Sequence, residues 1–178
     1  IFGASDHCIA VHPSDMCVAL AALDATALVS GPKGDRRIPF TDFHRLPGDT
    51  PQLDNNLGKG ELITAVEIPS NPFTKNVYYL KVRDRASYAF ALVSVAVALD
   101  ISGNVIKSAR LAMGGVAHKP WRLFEAEKAL TGKAPVEENF RMAAALAIQS
   151  AKTYKYNQFK PGLASVSIQT ALQKAATV

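Results

Sequence analysis

Hydrophobic and polar positions along this chain change their period several times, and each change marks an element. Residues 15–24 (Asp-Met-Cys-Val-Ala-Leu-Ala-Ala-Leu-Asp) are rich in Ala and Leu and follow a serine. That pattern predicts a short helix with Ser14 as its N-cap. Residues 25–30 are apolar and partly β-branched and read as a strand; Gly31-Pro32-Lys33-Gly34-Asp35 is turn chemistry, and residues 36–40 return as a second strand. An irregular stretch runs from Thr41 to Gly60. A loop that long inside a compact domain is usually functional. Alternation returns at residues 61–68, with Leu62, Thr64 and Val66 set against Ile63, Ala65 and Glu67, and Pro69 ends it. Ahead of the first helix, Ile9 to Val11 reads as a short exposed strand.

The linker Ser70-Asn71-Pro72-Phe73-Thr74-Lys75-Asn76 is the predicted domain boundary, dividing residues 1–72 from 73–178. Beyond it, residues 77–82 form a strand and residues 91–101, rich in Val and Ala, a buried one. Ser102-Gly103-Asn104 is a hairpin turn into a strand over 105–114. Helices are predicted near 121–130, 136–150 and 163–175, the second with Glu137 and Glu138 at its positive end. The fold class is therefore α+β, and its second part is a small domain of a three-stranded antiparallel sheet packed with helices.

Composition adds exclusions. The chain has 178 residues, 48% of them hydrophobic, enough for one ordinary core or two small ones. The longest apolar run, Ala89 to Leu99, is broken by Ser94 and is too short for a membrane span. No basic region precedes an apolar segment at the start, and Ile1-Phe2-Gly3 reads like the interior of a longer polypeptide. The net charge is +5, but Lys and Arg are interspersed with acids, as in 33–37 and 81–85, so nucleic acid is not an expected partner. Cys17 falls in the apolar helix and reads as a small core residue, whereas Cys8 falls in a loop; a disulfide between them is neither demanded nor excluded. There is no Ser/His/Asp order and no cluster of metal ligands along the sequence, so neither a nucleophile nor an acid–base dyad is expected.

Several segments, in order, resemble one known family. They are His12-Pro13-Ser14-Asp15 before the Ala-rich helix; Ile38-Pro39 and Asp42-Phe43; Gly60-Glu61-Leu62-Ile63 and Glu67-Ile68-Pro69; Tyr79 to Arg83; and Ala109 to Ala117. Together they resemble the FAD-binding (medium) subunit of the molybdenum hydroxylases, the xanthine dehydrogenase and carbon monoxide dehydrogenase group. Leu46-Pro47-Gly48-Asp49, Arg83 to Ala91 and Gly115 to Arg122 look most like the flavoprotein subunit of bacterial three-subunit aldehyde oxidoreductases. Each motif alone is weak; the ordered set covers essentially the whole chain.

The resemblance implies that residues 1–72 are the C-terminal part of an FAD-binding α+β domain and that residues 73–178 resemble the C-terminal domain of CO dehydrogenase flavoproteins. It implies a partial set of flavin contacts: Asp15 and Ser14 toward the nucleotide, Ile63 and Leu57 as an apolar wall on the ring, and Lys81 near the flavin. From residue type alone, Asp15 can also be read as a cap, Leu57 and Ile63 as core or loop anchors, and Lys81 as a solvated strand position. Arg83 and Arg85 share Lys81's strand parity and would make one basic edge, for which solvated charge is an equal explanation. Cys8 matches the last ligand of an extra [4Fe–4S] cluster in some relatives; one thiol cannot hold such a cluster, so its other ligands would lie outside this chain. Expected partners are a molybdenum-cofactor (molybdopterin) large subunit, a [2Fe–2S] small subunit and the N-terminal remainder of the flavin subunit. The compartment stays open between periplasm and cytoplasm of a bacterium. The expected function is electron transfer through FAD to an external acceptor; the alternatives are a docking module without flavin and a stand-alone flavin oxidase.

Overall fold

A computed structural model describes residues 1–177. The order is α1 (Asp15–Ala22), β1 (Thr26–Gly31), β2 (Gly34–Pro39), α2 (Phe40–Phe43), β3 (Leu62–Glu67), β4 (Val77–Val82), β5 (Val93–Ser102), β6 (Val105–Gly114), β7 (Trp121–Arg122), α3 (Phe124–Leu130), α4 (Glu137–Ile148) and α5 (Lys160–Ala176). Two antiparallel sheets result, in the orders β2-β1-β3 and β4-β5-β6-β7.

The β5–β6 hairpin is the centre of the molecule. Its turn places Gly103 and Asn104 at φ of 58° and 60°, the left-handed pair that a tight hairpin of right-twisted strands requires. Val95 faces Met113, Val97 faces Leu111 and Leu99 faces Ala109 across the ladder. These larger side chains form one core with Leu130 of α3, Phe140 of α4 and Ile168 and Leu172 of α5. The intervening Ala96 and Ala112 point to the other face, where they pack with Val18, Leu20 and Ala21 of α1. The apolar run is thus a strand covered on both sides, with large residues toward three helices and small ones toward α1. Because α1 belongs to the first part of the chain, the two parts share a core.

Three expectations change. Residues 9–11 join no ladder; the segment is irregular, with the His12 N–H donating to the Ala117 carbonyl at 2.8 Å. The helix expected from residue 121 begins at Phe124, because Trp121 and Arg122 pair with Met113 and Ala112 as β7. A two-residue fourth strand therefore accompanies the three long ones. The long irregular stretch holds the four-residue α2 and is pinned by Arg36, whose guanidinium reaches both Glu61 carboxylate oxygens (2.8 and 2.6 Å) and the Asn56 carbonyl (2.6 Å). No helix among the described residues is long and apolar enough to cross a membrane.

Candidate flavin-facing site

The site grows from the start of α1. Ser14 Oγ accepts a hydrogen bond from the Cys17 backbone N–H at 3.3 Å, so the predicted cap is present. Asp15, next in sequence, turns its carboxylate toward β4. Its Oδ2 lies 2.6 Å from Lys81 Nζ, and its Oδ1 accepts from the Tyr79 hydroxyl at 3.0 Å. Tyr79 and Lys81 are two apart and share a strand face, while Tyr78 and Leu80 turn to the helical core. Burial, with the Asp15 carboxylate beside it, raises the Tyr79 hydroxyl above its ordinary pKa, so it stays a donor.

Two cavities flank this pair. One, about 240 Å³, lies between His12, Ser14 and Asp15 on one side and Gly114 and Gly115 on the other. The second, about 440 Å³, is bounded by Asp15, Lys81, Arg85, Tyr88 and Phe90. Phe90 borders both. Tyr88 and Phe90 are 95% and 75% exposed, and Tyr88 sits at φ 51°, a strained conformation for a bulky residue. Arg85 donates to the Tyr88 carbonyl and braces that turn. A half-buried carboxylate–ammonium pair thus stands beside two exposed aromatic rings. Such an arrangement suits a ligand with hydroxyls and a flat ring bearing acceptor atoms.

The remaining predicted positions lie elsewhere. Leu57 packs against Ala27, Val29, Ile38 and Phe43, under the three-stranded sheet. Ile63 sits opposite Val29 on β3 and is 48% exposed. Neither lines the two cavities beside Asp15. The shared parity of Lys81, Arg83 and Arg85 does not hold, because β4 ends at Val82 and the two arginines lie in the loop that follows. Cys8 is half-buried and unpaired in any disulfide; its Sγ lies 3.1 Å from His118 Nε2.

Sequence reasoning missed three features. Tyr79 was legible in principle, two residues before Lys81 on the same strand face. Tyr88 and Phe90 could have been noticed as aromatics in a loop of charged and small residues. The third was not legible: His12, Cys17 and His44, separated along the chain, place donor atoms within 4.8 Å of one another. Burial, with His12 and Lys119 nearby, holds His44 down to about 4.

The chain matches known proteins along most of its length. Residues 6–71 match the FAD binding domain of molybdopterin dehydrogenases, and residues 78–161 match the CO dehydrogenase flavoprotein C-terminal domain. It is 44% identical to the aldehyde oxidoreductase FAD-binding subunit PaoB of Escherichia coli over 98% of its length and 52% of that subunit's. It is 44% identical to the glyceraldehyde dehydrogenase medium chain of Sulfolobus acidocaldarius over 67% of its length and 40% of that chain's. Among solved structures, a reconstituted CO dehydrogenase from Oligotropha carboxidovorans superposes with a TM-score of 0.81 at 27% identity, covering 92% of this chain and 56% of that one. The chain spans about half the length of the curated relatives it matches. With both domain types present in order, and the same fold in a CO dehydrogenase chain, the chain belongs to the FAD-binding flavoprotein subunits of the molybdenum hydroxylase family.

Proposed function

We propose that this chain supplies one side of the flavin site in an electron-transfer subunit of a molybdenum-containing aldehyde oxidoreductase. The observation that carries this reading is the Asp15 carboxylate, held between Lys81 and Tyr79 at the mouth of an aromatic-edged cavity. FAD, when bound, supplies reversible two-electron and one-electron chemistry.

The chain's own groups have separable tasks. Asp15 accepts hydrogen bonds from ligand hydroxyls, and Tyr79 and Lys81 hold its carboxylate in position. Lys81 lines the same cavity, and with FAD bound its positive charge would favour the more negative, reduced form of the cofactor. Tyr88 and Phe90 offer flat apolar surface that excludes water. Ile63 and Leu57 are proposed to serve the ring from the three-stranded sheet. This chain is assigned the hydroxyl and ring end of the cofactor, because the carboxylate and the aromatic rings are what it presents at the cavity. Partner chains would carry molybdopterin and [2Fe–2S] clusters and deliver electrons, which leave to an external acceptor. Cys8 is proposed as one thiolate of a [4Fe–4S] cluster. Among the described residues no other thiol lies at that loop, so three ligands must come from elsewhere.

The test is an absorption spectrum of the purified complex, followed by flavin release and metal analysis. About one FAD per chain, with molybdenum, is expected. Iron beyond the need of two [2Fe–2S] clusters, lost in Cys8→Ser, supports the cluster assignment. A complex free of flavin would overturn the reading and favour a docking module.

A further inference from the structure

We propose that His12, Cys17 and His44 form a binding site for a divalent cation of the zinc class. One ring nitrogen from each histidine and Cys17 Sγ lie within 4.8 Å of one another. The imidazoles are packed together, with centroids 4.3 Å apart and planes tilted by 56°. His12 Nε2 and His44 Nδ1 are both buried and hydrogen-bond to nothing. Buried polar atoms are nearly always partnered, and a pair of packed imidazoles that each keep an orphaned ring nitrogen, with a thiol in the same cluster, is what a ligand set looks like before its ion is added.

The donors select the ion. One thiolate and two neutral imidazoles are borderline-soft ligands, suited to zinc and poorly suited to calcium or magnesium. Asp54 is close enough to act on both rings and supplies compensating negative charge, while Lys119 opposes it at His44. Zinc bonds of about 2.0–2.3 Å place ligand atoms roughly 3.3–3.8 Å apart, so side-chain rotations of about an ångström close the shell. Three protein ligands leave the fourth position to water.

The site is also prearranged. Phe40 and Phe43 meet the His44 ring edge-on, with centroids at 5.4 and 5.0 Å, and limit its orientation. Cys17 is fixed by α1, and the His12 backbone by its bond to Ala117. A bound ion would tie the loop before α1, the first turn of α1 and the end of α2 together. That staple lies beside the Asp15 pair but uses none of its groups, and it does not depend on the flavin reading.

The experiment uses the purified complex containing this chain, with zinc and FAD counted in the same samples. About one zinc per chain is expected, falling at least tenfold in Cys17→Ala and in His44→Gln while FAD stays constant. No zinc in the wild type, even after equimolar zinc and desalting, overturns the site; so does zinc retained in both variants. Should the variants fail to assemble, zinc K-edge absorption of the wild type decides. A shell of one sulfur near about 2.3 Å with nitrogens near about 2.0–2.1 Å supports the assignment, and a shell without sulfur refutes it.

Discussion

Lys81 Nζ sits 2.6 Å from Asp15 Oδ2 and so joins a helix of the first part of the chain to an outer strand of the second. The side chains are 26% and 37% exposed, so the pair contributes little to stability, of the order of 1 kcal/mol or less. Its placement matters more. Replacing Asp15 with Ala is expected to weaken flavin binding by roughly 10- to 100-fold, the effect of losing one charge-assisted hydrogen-bonding group. The melting temperature should move by only a few degrees. Flavin-to-protein ratios after dialysis check this, and an unchanged ratio would remove Asp15 from the site.

Arg122 makes the opposite case, a charge whose work is structural. Its side chain is 3% exposed and binds Asp24 Oδ1 (2.6 Å), the Ala21 carbonyl (2.7 Å) and both carboxylate oxygens of Glu127. Burial opposes its charge, but Glu127 and Asp24 outweigh this and raise its pKa. Glu127 also accepts the Leu111 backbone N–H at 2.7 Å. Arg122→Ala leaves Glu127 buried without its partner and should cost about 3–5 kcal/mol. Arg122→Lys should recover only part, since one ammonium cannot bind both carboxylates in the forked geometry. Thermal melts of the three proteins test the order; equal stability of Ala and wild type would refute it.

Gly115 is at φ 72°, and a Cβ there would stand 2.8 Å from the Leu92 carbonyl oxygen and 2.9 Å from that of Ala91. Both are backbone atoms that cannot swing aside. Gly115→Ala should destabilise by about 1–3 kcal/mol and narrow the cavity beside His12. The check is a denaturant titration together with flavin content. Gly34, also at positive φ but with open space around it, supplies the control: Gly34→Ala should cost less.

Acid should loosen the long loop through Glu61. Its carboxyl is held down to about 2, first by the Arg36 hydrogen bond and then by the Gly58 N–H, against an ordinary value of 4.5. A depressed pKa in the fold means that the unfolded chain takes up the proton more readily as pH falls. The stabilisation is therefore complete above about 4.5 and is lost between there and about 2. Glu61→Gln should flatten the stability profile across that window. Unfolding curves at several pH values read it directly, and parallel profiles would count against the Arg36 clamp.

Local pattern made most of the elements readable. The cap at Ser14, the Gly103-Asn104 turn and the existence of β3 are written in neighbouring residues, because caps, turns and short strands depend on a few adjacent side chains; all six residues of β3 are exposed, so its alternation marks no buried face. The start of α3 differs for a long-range reason: Trp121 and Arg122 pair with the edge of β6 as β7, a partner that their local sequence does not announce.

The candidate site divides the same way. By itself the sequence determined the residue types at the helix start and on β4, the order of elements and, through ordered motifs, the family. Only the tertiary structure decided what these residues touch. It set Lys81 and Tyr79 against Asp15, removed Arg83 and Arg85 from their strand, placed Leu57 in a core, and gathered His12, Cys17 and His44. Such pairings join segments dozens of residues apart. They follow from how α1 packs on the small-residue face of β5 and β6, and periodicity along one segment carries no information about its neighbour in space.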